Sequence, residues 1–193
     1  MFKDNSISEY GEMLAGKAAV PGGGSALPVV GAYACALVEM AANVTLAKYG
    51  ADYDYAGELS ANVKLLTMCR ERMYRLADDD SVAFTNILTA MRLPKGTDEE
   101  IAKRKSELQK QYHKAALVPL EVMQVAKRAL DIAQKCMPYF YKYVESDGII
   151  GADLLRAVVR NSICNVKANT SLITDDNLRN RLDKEAQFVA DSI

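Results

Sequence analysis

The chain has 193 residues, of which 50% are hydrophobic and 25% are charged. This length and balance fit one folded domain with a full-sized core, and they exclude a disordered or low-complexity protein. The 24 lysines and arginines nearly equal the 25 aspartates and glutamates, which leaves a net charge of −1. Because no overall positive charge exists to hold a phosphate backbone, we expect no nucleic-acid partner.

Helical spacing of apolar residues recurs along the whole chain, and no long segment alternates as a strand does. The spacing predicts helices over about residues 6–17, 25–49, 54–91, 97–143, 149–172 and 176–189. Thr97 and Glu100 form a capping box at the start of the fourth helix, and Gly50 suits the end of the second. We therefore predict an all-α bundle of five to six helices, some of them long, in one domain over residues 1–193.

The predicted second helix is apolar almost all round. Residues 26–47 approach the length that spans a bilayer, but Glu39 and Asn43 lie inside the stretch, and a carboxylate there is costly in lipid. A buried helix outside any membrane fits better. Its small residues allow another helix to approach closely, which predicts a homodimer; these residues are Gly31, Ala32, Ala36 and Ala42.

The cysteines and the N-terminal residues indicate the cellular compartment and whether a metal site is expected. The four cysteines are far apart in sequence, no C-x-x-C pair occurs, and His113 is the only histidine. This pattern predicts buried, reduced thiols and no metal site. The first residues lack the charged-then-apolar pattern of a signal peptide, so we expect a cytoplasmic protein.

The segment Pro21-Gly22-Gly23-Gly24-Ser25 precedes the second helix and is the most unusual local feature. Consecutive glycines let a ligand approach the backbone closely, and the helix start behind them offers free N–H donors and a partial positive charge. An anionic or carbonyl-bearing ligand would suit this place. The alternative is a flexible connector with Ser25 as the helix cap.

Polar residues inside the apolar helices are further candidates. Asp78-Asp79-Asp80 lies in the middle of the third helix, where adjacent aspartates are unfavourable, and Asp80 precedes the apolar stripe. One of the three is expected to point inward, unless all three form a solvated face. Two i, i+4 pairs, Glu39 with Asn43 and Asn165 with Asn169, either bond across helix interfaces or line a polar pocket. Residues 145–148 are predicted as a turn, in which Asp147 caps the fifth helix.

Taken together, these segments resemble the formimidoyltetrahydrofolate cyclodeaminase/methenyltetrahydrofolate cyclohydrolase family. The resemblance runs in order through residues 21–25, the D-x-D-x-x-A-F pattern of residues 78–84, residues 92–97, Ser146-Asp147, and the N-V-x-x-N pattern of residues 165–169. It covers essentially the whole chain. Each motif alone is weak, but their combination is specific.

The resemblance implies an all-helical homodimer that converts 5-formimidoyl-tetrahydrofolate to 5,10-methenyl-tetrahydrofolate and ammonia. The alternatives are hydrolysis of 5,10-methenyl-tetrahydrofolate, or a non-catalytic helical dimer that binds a ligand. It implies Asp147 and Asp80 as the proton-transfer residues, with no metal or other cofactor. Together with the polar pair Glu39 and Asn43, which were singled out by their spacing, the predicted substrate-binding residues are Pro21, Gly22, Gly23, Gly24, Ser25, Asp78, Ser146, Asn165 and Asn169.

Overall fold

The computed structural model describes all 193 residues, and it contains six α-helices and no strand. The helices are α1 (Ile7–Ala15), α2 (Gly23–Tyr49), α3 (Ala56–Met91), α4 (Asp98–Cys136), α5 (Glu145–Thr170) and α6 (Asp176–Asp191). Two short 3₁₀ turns accompany them, at Phe2–Asp4 and Met137–Tyr139. The predicted all-α bundle is confirmed.

Helices α2 to α5 form a ring in chain order, since each packs on the next and α5 packs back on α2. Short connections make consecutive helices antiparallel, so each end of the bundle gathers residues from four helices. One end, called here the glycine end, holds the start of α2, the last third of α3 and the end of α5. The other, the tyrosine end, holds the end of α2 and the start of α5. Helix α6 lies against α4 and α5.

Helix lengths give the glycine end its shape. At ~1.5 Å per residue, α3 and α4 are roughly 54 and 58 Å long, whereas α2 and α5 are roughly 40 Å long. Asp80 of α3 already lies beside Gly24 at the start of α2. Residues 81–91 therefore continue past the start of α2. A cleft forms at the base of this extension.

The small residues of α2 pack within the chain. Ala32 and Ala42 are fully buried. A Cβ added to Gly31 would lie 3.1 Å from the Met73 methyl group, so Gly31 is where α3 fits against α2. Gly151 of α5 lies against the α2 backbone, because a Cβ there would lie 2.9 Å from the Ala34 carbonyl oxygen.

The outward face of α2 carries a different set of residues. They are spaced alternately by four and three positions, none is charged, and all are half-buried or exposed: Ala26, Val30, Tyr33, Leu37, Met40, Val44 and Ala47. We call this set the outer stripe. Helix α2 is the one helix long and apolar enough to cross a membrane, and half of its most apolar stretch is buried in the bundle.

Several sequence-based boundaries were wrong. Helix α4 ends at Cys136 instead of about Tyr143, because Pro138 has no N–H to continue it. Residues 145–148 are not a turn but the first turn of α5, and the residue before that helix is Val144, so Asp147 is not its cap. Acidic residues in a first turn are stabilised by the positive end of the helix, so Glu145 and Asp147 fit there without capping.

Two other boundaries were also tested. Helix α2 begins at Gly23, two residues earlier than predicted. The capping box at α4 is confirmed: Thr97 N–H donates to Glu100 Oε2 at 3.1 Å, and Glu100 N–H donates to Thr97 Oγ1 at 3.2 Å. Three cysteines are buried as expected, whereas Cys164 is exposed on α5.

Candidate active site

A cleft of about 190 Å³ opens at the glycine end. The start of α2, α3, α4 and the end of α5 all contribute to its wall. Its polar lining consists of the backbone at Gly22, Gly23 and Gly24 together with the side chains of Asp80, Asn165 and Asn169. The structure thus brings together three of the motifs that the sequence analysis singled out.

The three glycines form the start of a helix and not a flexible connector. Gly22 precedes α2, with its N–H donating to Ser25 Oγ at 3.1 Å, and Gly23 and Gly24 belong to the first helical turn. None of the three has a positive φ. Gly24 is required for another reason: a Cβ there would lie 2.2 Å from Asp80 Oδ1. The missing side chain lets the Asp80 carboxyl lie directly against the backbone.

Asp80 supplies the one carboxyl that lines the cleft. Burial raises the pKa of its carboxyl to about 6. The carboxyl receives no hydrogen bond within the protein and has no ion-pair partner. A carboxyl with a pKa near neutral and an open side toward a cleft is suited to accept and return a proton.

The other two aspartates of the triplet have structural partners. Asp78 Oδ1 accepts a hydrogen bond from the Phe2 N–H at 2.9 Å, which ties the N-terminus to α3. Asp79 forms an ion pair with Arg72, with Nη1 and Oδ2 2.9 Å apart. Only one of the three aspartates faces the cleft, as expected for residues that point in different directions around a helix.

Asn165 and Asn169 line the α5 side of the cleft. Asn169 Nδ2 donates to the Asn165 carbonyl at 3.0 Å, which fixes its side chain along the helix. Its amide oxygen and the Asn165 side-chain amide remain available. Together with the first amides of α2, which have no partners inside the helix, they offer donors and acceptors for a heteroaromatic ligand.

Four predicted site residues lie elsewhere in the chain. Asp147 and Ser146 are in the first turn of α5, and Asp147 precedes Asn165 by 18 positions, or roughly 27 Å along the helix. Glu39 is buried in an ion pair, with Arg70 Nε 2.8 Å from its Oε1, and Thr67 donates to its Oε2 at 2.9 Å. Asn43 is exposed on the outer face. Glu39 and Asn43 therefore do not form a polar pocket.

Sequence reasoning missed the apolar wall of the cleft and one polar neighbour. Ala83, Phe84, Ile87 and Ala115 line the cleft. Tyr10 of α1 places its hydroxyl in the interior without a hydrogen-bond partner. No local signal marked Tyr10, because its place depends on how α1 folds back on the bundle.

A larger groove of about 590 Å³ lies between α3 and α4. Its carboxylates are paired: Arg72 Nε lies 2.6 Å from Glu121 Oε1, and Gln124 Nε2 donates to Glu185 Oε1 at 2.8 Å. The smaller cleft is the better candidate site because its carboxyl is unpaired. No three His, Cys, Asp or Glu side chains are grouped in a way that would hold a metal ion.

An all-α bundle whose end cleft holds a half-buried, unpaired carboxyl, two asparagines and free helix-start amides is suited to bind a small polar molecule and to exchange a proton with it. Residues 6–188 of the chain match the model of the Formiminotransferase-cyclodeaminase family. Because the match spans nearly the whole chain, this protein belongs to that family.

Individual relatives agree with this assignment. Methenyltetrahydrofolate cyclohydrolase of Methylorubrum extorquens is 31% identical over 179 residues, which cover 91% of this chain and 84% of the relative. Formimidoyltransferase-cyclodeaminase of Mus musculus is 28% identical over 90% of this chain, but the match spans only 32% of that longer protein. The structure of formiminotetrahydrofolate cyclodeaminase from Thermotoga maritima has a TM-score of 0.86 and 30% identity, covering 98% of this chain and 90% of that one.

Proposed function

We propose that this chain closes the ring of 5-formimidoyl-tetrahydrofolate to give 5,10-methenyl-tetrahydrofolate and ammonia, with Asp80 as the proton-transfer group. The observation that carries this proposal is the Asp80 carboxyl, which lies half-buried against Gly24 with a pKa raised to about 6 and with no protein partner. The names of the relatives support a folate substrate.

The chemistry needs one proton moved over a short distance. In the substrate with a protonated formimidoyl group, N10 attacks the formimidoyl carbon and a new N10–C bond forms. Asp80 takes the N10 proton and returns it to the departing nitrogen as the C–N bond to that nitrogen breaks, releasing ammonia. Hydrogen bonds from the α2 amides and from Asn165 and Asn169 orient the folate.

A second activity is supported by the bacterial relative, whose name is that of a cyclohydrolase and whose length this chain largely covers. In that reaction water adds to the methenyl carbon as Asp80 accepts one water proton. Asp80 returns this proton to N5 as the bond from that carbon to N5 breaks, and the remaining hydroxyl proton is released to solvent, which leaves 10-formyl-tetrahydrofolate. The same carboxyl and the same cleft serve both reactions. Neither requires a metal or redox cofactor in this proposal.

Absorbance of the methenyl form distinguishes these activities. Formation from 5-formimidoyl-tetrahydrofolate supports the cyclodeaminase. Loss of 5,10-methenyl-tetrahydrofolate faster than in buffer supports the cyclohydrolase. If neither rate exceeds that of the Asp80→Asn variant, the proposed catalysis is wrong, and the chain is a ligand-binding protein.

We also propose that the chain works as a homodimer in the cytoplasm, outside any membrane. The outer stripe of α2 has the alternating four and three spacing of a helix-pairing seam and carries no charge. Four free cysteines fit a reducing compartment. A stable monomer mass at micromolar concentration by light scattering would contradict the dimer.

In this dimer the two α2 helices pair in opposite directions through their outer stripes. A two-fold axis across the helix then places the glycine end of one copy beside the tyrosine end of the other. Asp147 of one chain would approach the cleft of its partner, which gives a role to a motif residue that lies roughly 27 Å from the cleft in its own chain.

Mixing two inactive variants tests this arrangement. If Asp80 and Asp147 meet only across the dimer, random pairing of Asp80→Asn and Asp147→Asn chains restores about a quarter of normal turnover, because half of the dimers carry one intact site. The unmixed variants are the controls. If Asp147→Asn is fully active alone, Asp147 has no part in the reaction.

A further inference from the structure

The Asp80 carboxyl is the only ionisable side chain that lines the cleft at the glycine end. The remaining wall consists of glycines, alanines, Val20, Phe84, Ile87 and the two asparagines, so no lysine, arginine or histidine faces the carboxyl there. Burial alone raises its pKa to about 6, and neither a hydrogen bond nor a neighbouring charge opposes the rise. Above pH 7 the carboxyl is therefore a charge without a partner, which a cationic ligand would supply.

The charged neighbours of Asp80 on α3 do not neutralise it. Asp78 accepts the Phe2 N–H at 2.9 Å, and Asp79 pairs with Arg72. The Arg72 guanidinium is also held by a glutamate of α4, so its charge is already shared by two carboxylates. The cleft thus keeps a negative potential, and this favours a positively charged group.

Phe84 places an aromatic ring beside this carboxyl. It follows Asp80 by four positions, so both side chains project from the same face of α3, roughly 6 Å apart along its axis. Both line the cleft, and Phe84 is only half-buried, so part of its ring is open to a ligand. The face of an aromatic ring attracts a cation. The two residues therefore favour the same kind of ligand.

The rest of the wall leaves room for a flat group. Ala83, Ala115 and Ala168 are small, and a Cβ added to Gly23 would meet no atom within 4 Å. A carboxylate with two free oxygens accepts a pair of parallel N–H groups from a planar cation, as it does from the guanidinium of an arginine. An amidinium, in which one carbon joins two nitrogens that share the charge, has this shape and this charge.

We propose that Asp80 and Phe84 form a subsite for a planar amidinium cation, which binds the Asp80 carboxylate and packs its flat face on the Phe84 ring. The identity of the natural ligand rests on the proposed function, because both folate substrates carry such a group. The protonated formimidoyl group donates its N–H to the carboxylate. The methenyl bridge has no N–H and is held by its charge and by stacking. The cleft thereby selects the charged form of the reacting carbon.

Two small probes of nearly equal shape test the subsite without turnover. Benzamidine is a planar amidinium at pH 8, and benzamide is its neutral counterpart. In NMR titrations of the whole chain, we expect wild type to bind benzamidine about tenfold or more tighter than benzamide. Asp80→Asn should remove this difference because the charge is lost. Asp79→Asn, which changes the adjacent carboxylate outside the cleft, is the matched control and should keep it.

The contribution of the ring is measured separately. Phe84→Leu keeps an apolar side chain without an aromatic face, and it should weaken benzamidine binding by about three- to tenfold. Phe84→Tyr keeps the face and should retain wild-type affinity. Phe188→Leu, which changes a phenylalanine that is 76% exposed on α6, is the control and should have no effect.

Wild-type protein that binds both probes equally, or that does not bind benzamidine up to its solubility, overturns the proposal. Unchanged benzamidine affinity in Phe84→Leu removes Phe84 from the subsite. Titration with 5-formyl-tetrahydrofolate, which is neutral at the corresponding carbon, separates this result from the proposed function. If that folate binds and benzamidine does not, the folate site stands and the amidinium subsite is wrong. If benzamidine binds as expected but neither folate substrate is turned over, the subsite stands and the proposed catalysis fails.

Discussion

The two ends of the bundle are built in opposite ways. At the tyrosine end six tyrosines form a continuous chain of rings with neighbouring centres 4.0 to 5.8 Å apart: Tyr49, Tyr53, Tyr55, Tyr139, Tyr141 and Tyr143. Polar groups there find partners. The Tyr53 hydroxyl donates to the Tyr139 carbonyl at 3.0 Å, and the Tyr141 N–H donates to Thr45 Oγ1 at 2.9 Å.

At the glycine end the half-buried Asp80 carboxyl has no partner, and its sequence neighbours Asp78 and Ser81 each carry a buried polar atom without a partner. Paired groups at one end stabilise the fold, whereas unpaired groups at the other cost stability and are available to a ligand. The contrast indicates that a functional site lies where polar groups are left without hydrogen-bond partners inside the protein. Changes at the two ends should therefore have different consequences.

The largest effect is expected at Asp80. Asp80→Asn keeps the shape of the side chain but cannot exchange a proton, so turnover should fall by ~10²–10⁴-fold. Steady-state rates on both folate substrates measure it. Normal turnover in a folded Asp80→Asn protein would contradict the assignment of the reactive group.

Although Asp80→Asn should lower turnover, it should raise the free energy of unfolding at neutral pH. Because the folded pKa of Asp80 is raised to about 6, the native state binds an extra proton between the ordinary aspartate range and pH 6, and stability falls as pH rises through that window. In Asp80→Asn the free energy of unfolding should decrease less over this pH range than in wild type, by up to about 3 kcal/mol. Urea unfolding of both proteins at pH 4 and pH 7 gives the comparison.

Gly24→Ala should come next in effect. The added methyl group would lie 2.2 Å from Asp80 Oδ1, so the carboxyl must rotate away. We expect a loss of ~10–100-fold in kcat, as for a misplaced catalytic group, with little loss of stability because alanine favours the helix. Gly11→Ala, which adds the same methyl group in open space on α1, is the control. Equal activity in the two variants would show that Asp80 tolerates displacement.

Away from the cleft, Gly151→Ala should affect folding more than chemistry. Its methyl group would meet the Ala34 carbonyl oxygen at 2.9 Å, and backbone cannot move aside as a side chain can. We expect a loss of ~1–3 kcal/mol in the free energy of unfolding. Gly57→Ala, which meets no atom within 4 Å, should cost little. Chemical denaturation of both variants measures this difference. Equal denaturation midpoints would contradict a tight contact between α2 and α5.

The smallest effect is expected for Tyr53→Phe at the tyrosine end. It removes a donor from a paired carbonyl and should lower stability by ~0.5–1.5 kcal/mol with unchanged turnover. Tyr10→Phe removes an unpaired hydroxyl at the glycine end, so its stability should not fall. The melting temperatures of the two variants, measured side by side, test the contrast between the ends. Equal decreases in melting temperature would contradict it.

Much of the helical architecture could be predicted from short stretches of sequence. The helices, the capping box and the glycine motif follow from neighbouring residues, so most boundaries were predicted closely; the end of α4 and the start of α5 were the exceptions. Asp147 was misplaced because its turn-like neighbours in residues 145–148 also suit a first helical turn. For Glu39 the sequence left open a bond across a helix interface or a place in a pocket; the structure shows the first, and the spacing from Asn43 could not decide this because it says nothing of Arg70, which is 31 positions away.

The sequence by itself determined the helical class, the order of its elements and the motifs that mark the family, because these depend on periodicity and on short-range chemistry. The tertiary structure alone decided which polar residues meet. Asp80 joins Gly24, Asn165 and Asn169 only because antiparallel packing brings four helices to one end, and the Tyr10 hydroxyl is buried only because α1 folds back on the bundle. Burial by distant segments also determines the pKa of Asp80, and no local pattern encodes that burial.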